Sequence, residues 1–159
     1  MKSLFLAGAA ALLFAPLAQA GTVNVSFSEE FTEKLTEDYG LREGEYLTRE
    51  LTEDIERAFG SRMDTVGEIN IVIEDARPNR PTFHQLGEEP GLSYQSFGIG
   101  GAKLSGEVLS ADGDVLASID GYRRYENDIR MVQGYATWTD ANRTFSRFAR
   151  KLNGEVAGS

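Results

Sequence analysis

The sequence predicts an α+β two-layer sandwich: a mixed sheet of about four strands with helices on one face, in the order β-α-β-long loop-β-β-α. Three observations carry that expectation. Apolar residues alternate at period two through Val23, Val25 and Phe27, through Ile69, Ile71 and Ile73, and on both sides of Asp112-Gly113. They recur every three or four residues over roughly 29–59 and 137–152. Between these regions, Asp75 to Gly101 shows neither period, and that stretch is longer than an ordinary connection.

The chain opens on Met1 to Ala20, which reads as a cleavable secretory signal. Lys2 supplies the charge, Leu4 to Ala15 are apolar, and Ala18-Gln19-Ala20 has the small-x-small cleavage pattern. Residues 21–159 then form one expected domain. The whole chain has 159 residues and a net charge of −9; without the signal, 139 residues remain at −10. A uniformly basic nucleic-acid binder is thereby excluded. After the signal no apolar run is long enough to span a membrane. With no cysteine there are no disulfides, no thiolate chemistry, and no cysteine to carry a lipid anchor. An exported chain without disulfides fits a bacterial periplasm, or secretion after signal cleavage, better than a eukaryotic secretory route.

The first strand runs through Val23, Val25 and Phe27. Ser28 stands at a helix N-cap position, followed by Glu29 and Glu30 in the dipole-favoured first turn. Phe31, Leu35 and Tyr39 make one apolar stripe, and Leu47, Leu51, Ile55 and Phe59 make a second. Gly40 and Gly44 leave open whether these are two helices or one kinked helix; Gly60 supplies a stop. A parallel right-handed crossover leads to the strand at Ile69–Ile73.

Asp112-Gly113 predicts a two-residue type I′ hairpin. Folding about it pairs Val108 with Ala117, Gly106 with Ile119 and Leu104 with Gly121 on the inner face. On the outer face it pairs Lys103 with Tyr122, Ser105 with Asp120, Glu107 with Ser118 and Leu109 with Leu116. Phe97 and Ile99 are out of phase with Leu104 and Val108, so a strand continuing through them predicts a bulge at Gly100-Gly101. The closing helix, about Thr137 to Leu152, buries Trp138, Ala141, Phe145, Phe148 and Leu152. Thr137 and Asp140 resemble a capping box, and Arg143, Arg147, Arg150 and Lys151 fall late in the helix.

Chemistry-bearing patterns are few. His84 is the single histidine, so a histidine–cysteine zinc site has no ligand set, and no motif calls for a metal or cofactor. No G-x-S-x-G elbow is present. Gly98 to Ser105 lacks P-loop spacing, and Asp112-Gly113-Asp114 lacks the further ligands of a calcium loop. The site expected from sequence lies in the long loop. Arg77 and Arg80 offer forked donors for carboxylate or phosphate, Asn79, Thr82, His84 and Gln85 offer neutral polar groups, and Phe83 an apolar face. Pro78 and Pro81 stiffen the backbone between them. A structural alternative pairs Glu74 and Asp75 with those arginines.

Charge is unevenly placed. Ser28 to Phe59 holds 11 acidic and 4 basic residues, and Thr137 to Leu152 holds 1 acidic and 4 basic. Complementarity between the two helical regions is the expected reason, alongside solubility.

Pro78-Asn79-Arg80-Pro81-Thr82, Gly100-Gly101-Ala102 and Trp138-Thr139-Asp140-Ala141 resemble segments of small exported proteobacterial proteins, and the layout is similar to compact α/β envelope proteins and lipoproteins. The resemblance implies a periplasmic α/β module; it implies no active-site residue. The functional expectation is a non-catalytic periplasmic module that binds a protein or cell-envelope component. The runner-up is a small periplasmic hydrolase acting on an anionic substrate through the 75–101 loop, with His84 or a carboxylate as its reacting group.

Overall fold

A computed structural model describes residues 20–158; the expected signal, apart from Ala20, lies outside them. The four strands are β1 (Thr22–Phe27), β2 (Glu68–Arg77), β3 (Gly101–Leu109) and β4 (Val115–Tyr125). They lie in the order β1-β2-β3-β4, with β1 parallel to β2 and the remaining pairs antiparallel. The helices are α1 (Glu29–Lys34), α2 (Leu41–Phe59), α3 (Phe83–Glu88) and α4 (Thr139–Ala157). This is the α+β fold expected. Among the described residues, no helix is long and apolar enough to cross a membrane.

The apolar stripes explain the packing. Ile69, Ile71 and Ile73 of β2, Leu104 and Val108 of β3, and Leu47, Leu51, Ile55 and Phe59 of α2 are all buried in one cluster. Phe145, Phe148 and Leu152 of α4 join it. The polar faces of the strands point the other way. There the Asn24 amide donates to Asn70 Oδ1 (2.9 Å), and Lys103 Nζ pairs with Glu74 (2.5 Å).

The first helical region is two helices. Ser28 caps α1 as expected, its Oγ accepting from the Phe31 amide at 3.2 Å. The chain then widens into a π-helical turn, Leu35–Tyr39, and breaks at Gly40, whose φ of 95° is available to glycine at little cost. Gly44 does not break α2. It is buried, and a Cβ there would stand 3.2 Å from Leu35 Cδ1, so its role is close packing.

The hairpin departs from expectation at both ends. Among the described residues no non-glycine residue has positive φ, so Asp112 cannot occupy a type I′ turn. The loop is instead three residues, Ala111 to Gly113, closed by the Ser110 amide donating to the Asp114 carbonyl (2.8 Å). Only Gly113, at φ 88°, is left-handed. That loop pairs Leu109 with Val115, and an extra residue, Leu116, restores the expected central pairs Val108–Ala117, Glu107–Ser118 and Gly106–Ile119. A second bulge at Asp120-Gly121, facing Ser105, moves Leu104 onto Tyr122 and Lys103 onto Arg123. The bulge expected at Gly100-Gly101 is absent because β3 begins at Gly101, leaving Phe97 and Ile99 outside the strand. A bulge at Glu74 of β2 instead switches the buried phase from Ile73 to Ala76.

Helix α4 starts and ends later than expected. Trp138 is its N-cap and makes no side-chain cap bond, so the Thr137–Asp140 box does not form. Arg147, Arg150 and Lys151 lie mid-helix, with no basic residue in the last turn. Of the nine ion pairs among the described residues, none joins α2 to α4. The two helices meet through neutral-to-polar bonds: Ser146 Oγ donates to Asp54 (2.7 Å) and the Asn142 amide to Tyr46 Oη (2.8 Å). The uneven charge is therefore not expressed as direct ion pairs between these two helices.

Candidate functional site

The long loop contains structure that its lack of period concealed. Thr82 caps the short α3: its Oγ1 accepts from the Gln85 amide (3.3 Å), and Gln85 Oε1 accepts from the Thr82 amide (3.1 Å). This is a reciprocal capping box. Thr82 and Gln85, expected as ligand-binding groups, thus satisfy one another.

Asn79 is fully buried. Its Oδ1 accepts from the Asp140 amide (2.9 Å), and its Nδ2 donates to Asp140 Oδ2 (2.6 Å) and to the Gly98 carbonyl (3.1 Å). Arg80 is engaged by backbone carbonyls. Nε donates to Tyr135 O (3.1 Å), one Nη to Tyr94 O (3.2 Å) and Gln95 O (3.3 Å), and the other to Gln133 O. The guanidinium's several donors, held in a rigid fork, let this side chain staple two stretches, 94–95 and 133–135, that lie in no helix or strand.

Arg77 stands apart from that staple. Its guanidinium lies 4.7 Å from the Tyr125 ring centroid and its Nε 3.5 Å from Asp75 Oδ2. Asp75 also accepts from Lys34 Nζ (2.8 Å) and Tyr125 Oη (2.6 Å). Burial pushes the Asp75 carboxyl up, but the Lys34 and Tyr125 hydrogen bonds and the nearby cations hold it below the usual carboxylate range. Burial, and then the hydrogen bond to Asp75, push the Tyr125 phenol well above its ordinary value.

His84 packs on the π-helical turn. Its Nε2 lies 3.1 Å from the Glu37 carbonyl. A carbonyl only accepts, so the proton of a neutral imidazole resides on Nε2. The capping box aims His84 at this turn, and Gly40 makes room for it: a Cβ on Gly40 would stand 3.1 Å from His84 Cβ.

Arg80, Thr82 and His84 line one wall of an open groove of about 1160 Å³; Arg77, Asn79 and Gln85 do not. Thr36 and Tyr39 of the π-helical turn, the first turns of α2, and Ala136 to Trp138 complete its lining. Trp138 Nε1 donates to Glu43 Oε2 (2.6 Å), and its ring meets Tyr39 edge-on at 5.7 Å. These contacts anchor the α4 entry against α2. Three large apolar side chains lie exposed on the groove: Leu41 (68 %), Phe83 (77 %) and Tyr94 (73 %). Phe83 and Tyr94 meet edge-on at 6.4 Å. Glu45, Arg42 and Arg49 supply charge beside them, with Arg49 lying over the Tyr46 ring (5.2 Å).

Leu41, Tyr94 and the α2 side chains were missed as site residues in the sequence. Leu41 carried one readable signal: it falls off the Leu47–Leu51–Ile55–Phe59 stripe, so the helix does not bury it. Among the described residues, no group of three or more His, Asp or Glu side chains is placed to hold a metal ion. No serine lines the groove; its carboxylates are Glu43, which holds Trp138, and Glu45. Comparisons with protein-family models, curated proteins and solved structures returned no match.

Proposed function

We propose that the chain is a non-catalytic module of the bacterial periplasm whose groove docks a segment of a partner protein. The observation that carries this reading is the combination of Leu41, Phe83 and Tyr94, exposed together on one concave surface, with polar neighbours already bonded inside the fold. Large apolar groups gathered on a recessed surface remain in water only at a free-energy cost, and burying them drives association. Aromatic side chains in a pocket are also the residues that most often dominate binding energy.

Arg80, Thr82 and Trp138 are each hydrogen-bonded within the chain and stiffen the scaffold. Specificity then falls to the residues whose charge faces the groove, Arg42, Glu45 and Arg49. The groove favours an extended segment with aromatic or aliphatic side chains flanked by charge. The hydrolase reading finds less support. His84 is bonded to a carbonyl, and its Nδ1 has no serine in the groove to activate. Photo-crosslinking from position 83 in the producing cell tests the proposal: one adduct of defined mass supports it, and monomer alone contradicts it.

A further inference from the structure

Three arginines converge at a second concavity away from the groove. A small concavity of about 80 Å³ lies between β4 and α4, lined by Arg124, Glu126, Asp140, Arg143, Thr144 and Arg147. Its two carboxylates have partners within the chain. Asp140 Oδ2 receives the Asn79 amide, Asp140 Oδ1 lies 3.6 Å from Arg143 Nη1, and Glu126 Oε1 accepts from the Asn127 amide (2.9 Å). Arg143 is held by Tyr135, donating to its hydroxyl and stacking at 4.3 Å from its ring centroid. Arg124 and Arg147 make no side-chain hydrogen bond or ion pair among the described residues.

We propose that Arg124, Arg143 and Arg147 form a binding site for a phosphate group, independent of the groove. Arg143 and Arg147 stand four apart on α4, like charges about one turn from each other, whereas Lys151, four later, is paired with Glu155. That spacing is repulsive in a helix. It persists in a chain of net charge −9, where carboxylates are plentiful, and an anion in the concavity relieves it. Guanidinium forks approach from a strand and from two successive turns of a helix. Convergence from several sides suits a tetrahedral oxyanion, whereas a planar carboxylate is satisfied by one fork. The phosphate can be a free ion or part of a lipid headgroup.

The test uses the purified protein and arginine Nε–H NMR signals during titration with inorganic phosphate, with acetate in parallel. Arg124 and Arg147 signals should shift and saturate with phosphate and not with acetate. A second arm measures sedimentation with phosphatidylglycerol vesicles against phosphatidylcholine vesicles. Binding of free phosphate identifies the ion as sufficient, and binding to anionic vesicles alone identifies a headgroup; both support the site. Arg124→Gln and Arg147→Gln, both at exposed positions, should weaken binding about tenfold, with Arg150→Gln within about twofold of wild type. The site is overturned if phosphate and anionic vesicles both fail to bind, or if acetate binds as well as phosphate. It is also overturned if binding is indifferent to Arg124 and Arg147.

Discussion

Asn79 and Asp140, 61 residues apart, meet through two hydrogen bonds: Asn79 Oδ1 accepts the Asp140 amide at 2.9 Å and Asn79 Nδ2 reaches Asp140 Oδ2 at 2.6 Å. The long loop thereby caps the last helix from outside, doing what Thr137 and Trp138 leave undone. One amide side chain fixes both the loop carrying α3 and the helix start, whose Thr137 and Trp138 line the groove. Asn79→Ala should lower unfolding free energy by about 1–3 kcal/mol, because it orphans buried partners. Asn79→Asp should cost more, since a carboxylate oxygen would then face Asp140 Oδ2 and the Gly98 carbonyl. Urea denaturation of both variants checks the order; an Asp variant as stable as wild type would refute the capping account.

The Asp75 cluster makes a pH-dependent prediction. A carboxyl held below its ordinary value of 3.8 contributes stability that is full above that pH and lost as pH falls through the folded value. Asp75→Asn should therefore destabilise the protein by about 1.5–3 kcal/mol at neutral pH. The lower end is expected, because the Lys34 side chain is 32 % exposed. The gap between variant and wild type should narrow as pH drops below 3.8. Lys34, whose ammonium is raised above 10.5 chiefly by its bond to Asp75, gives the opposite limb: its stabilisation is full below 10.5 and lost as pH rises through the folded value. Urea midpoints across pH measure both limbs, and a pH-independent gap would contradict the assignment.

The start of β3 depends on close backbone approach. A Cβ on Gly101 would stand 2.3 Å from the Arg124 carbonyl and 2.6 Å from Tyr125 Cα, both backbone atoms. Gly101→Ala should cost about 1–3 kcal/mol. Gly98→Ala, with nothing within 4 Å of its added Cβ, should stay within about 0.5 kcal/mol of wild type. Thermal melts of the pair distinguish a steric requirement at one glycine from a general preference for glycine in this loop.

Where a pattern repeats, the fold was legible. The stripes of α2 and α4, the parallel crossover and the central pairs Val108–Ala117 and Gly106–Ile119 all follow from period and parity. The bulges at Glu74, Leu116 and Asp120-Gly121 were not legible, because each reconciles a loop length with side chains packed several residues away. The capping box of α3 was present as Thr82-x-x-Gln85, but a six-residue helix shows too little periodicity to draw attention to it. Arg80 illustrates the harder limit. Its residue type suits an anion, yet its partners are carbonyls from residues 94–95 and 133–135, which only the folded chain brings together. The groove is of the same kind, assembled from segments up to 102 positions apart, Thr36 to Trp138.

The central claim is the groove, and a photo-crosslinking amino acid in place of Phe83 tests it most directly. Phe83 is 77 % exposed, so replacing it should leave stability within about 0.5 kcal/mol. Irradiation of the producing cells should yield one adduct of defined mass. It should form equally from position 94, be absent from Ser118 on the open face of β4, and weaken with Leu41→Ser. Monomer alone from positions 83 and 94, or the same adduct from Ser118, would contradict a partner-binding groove.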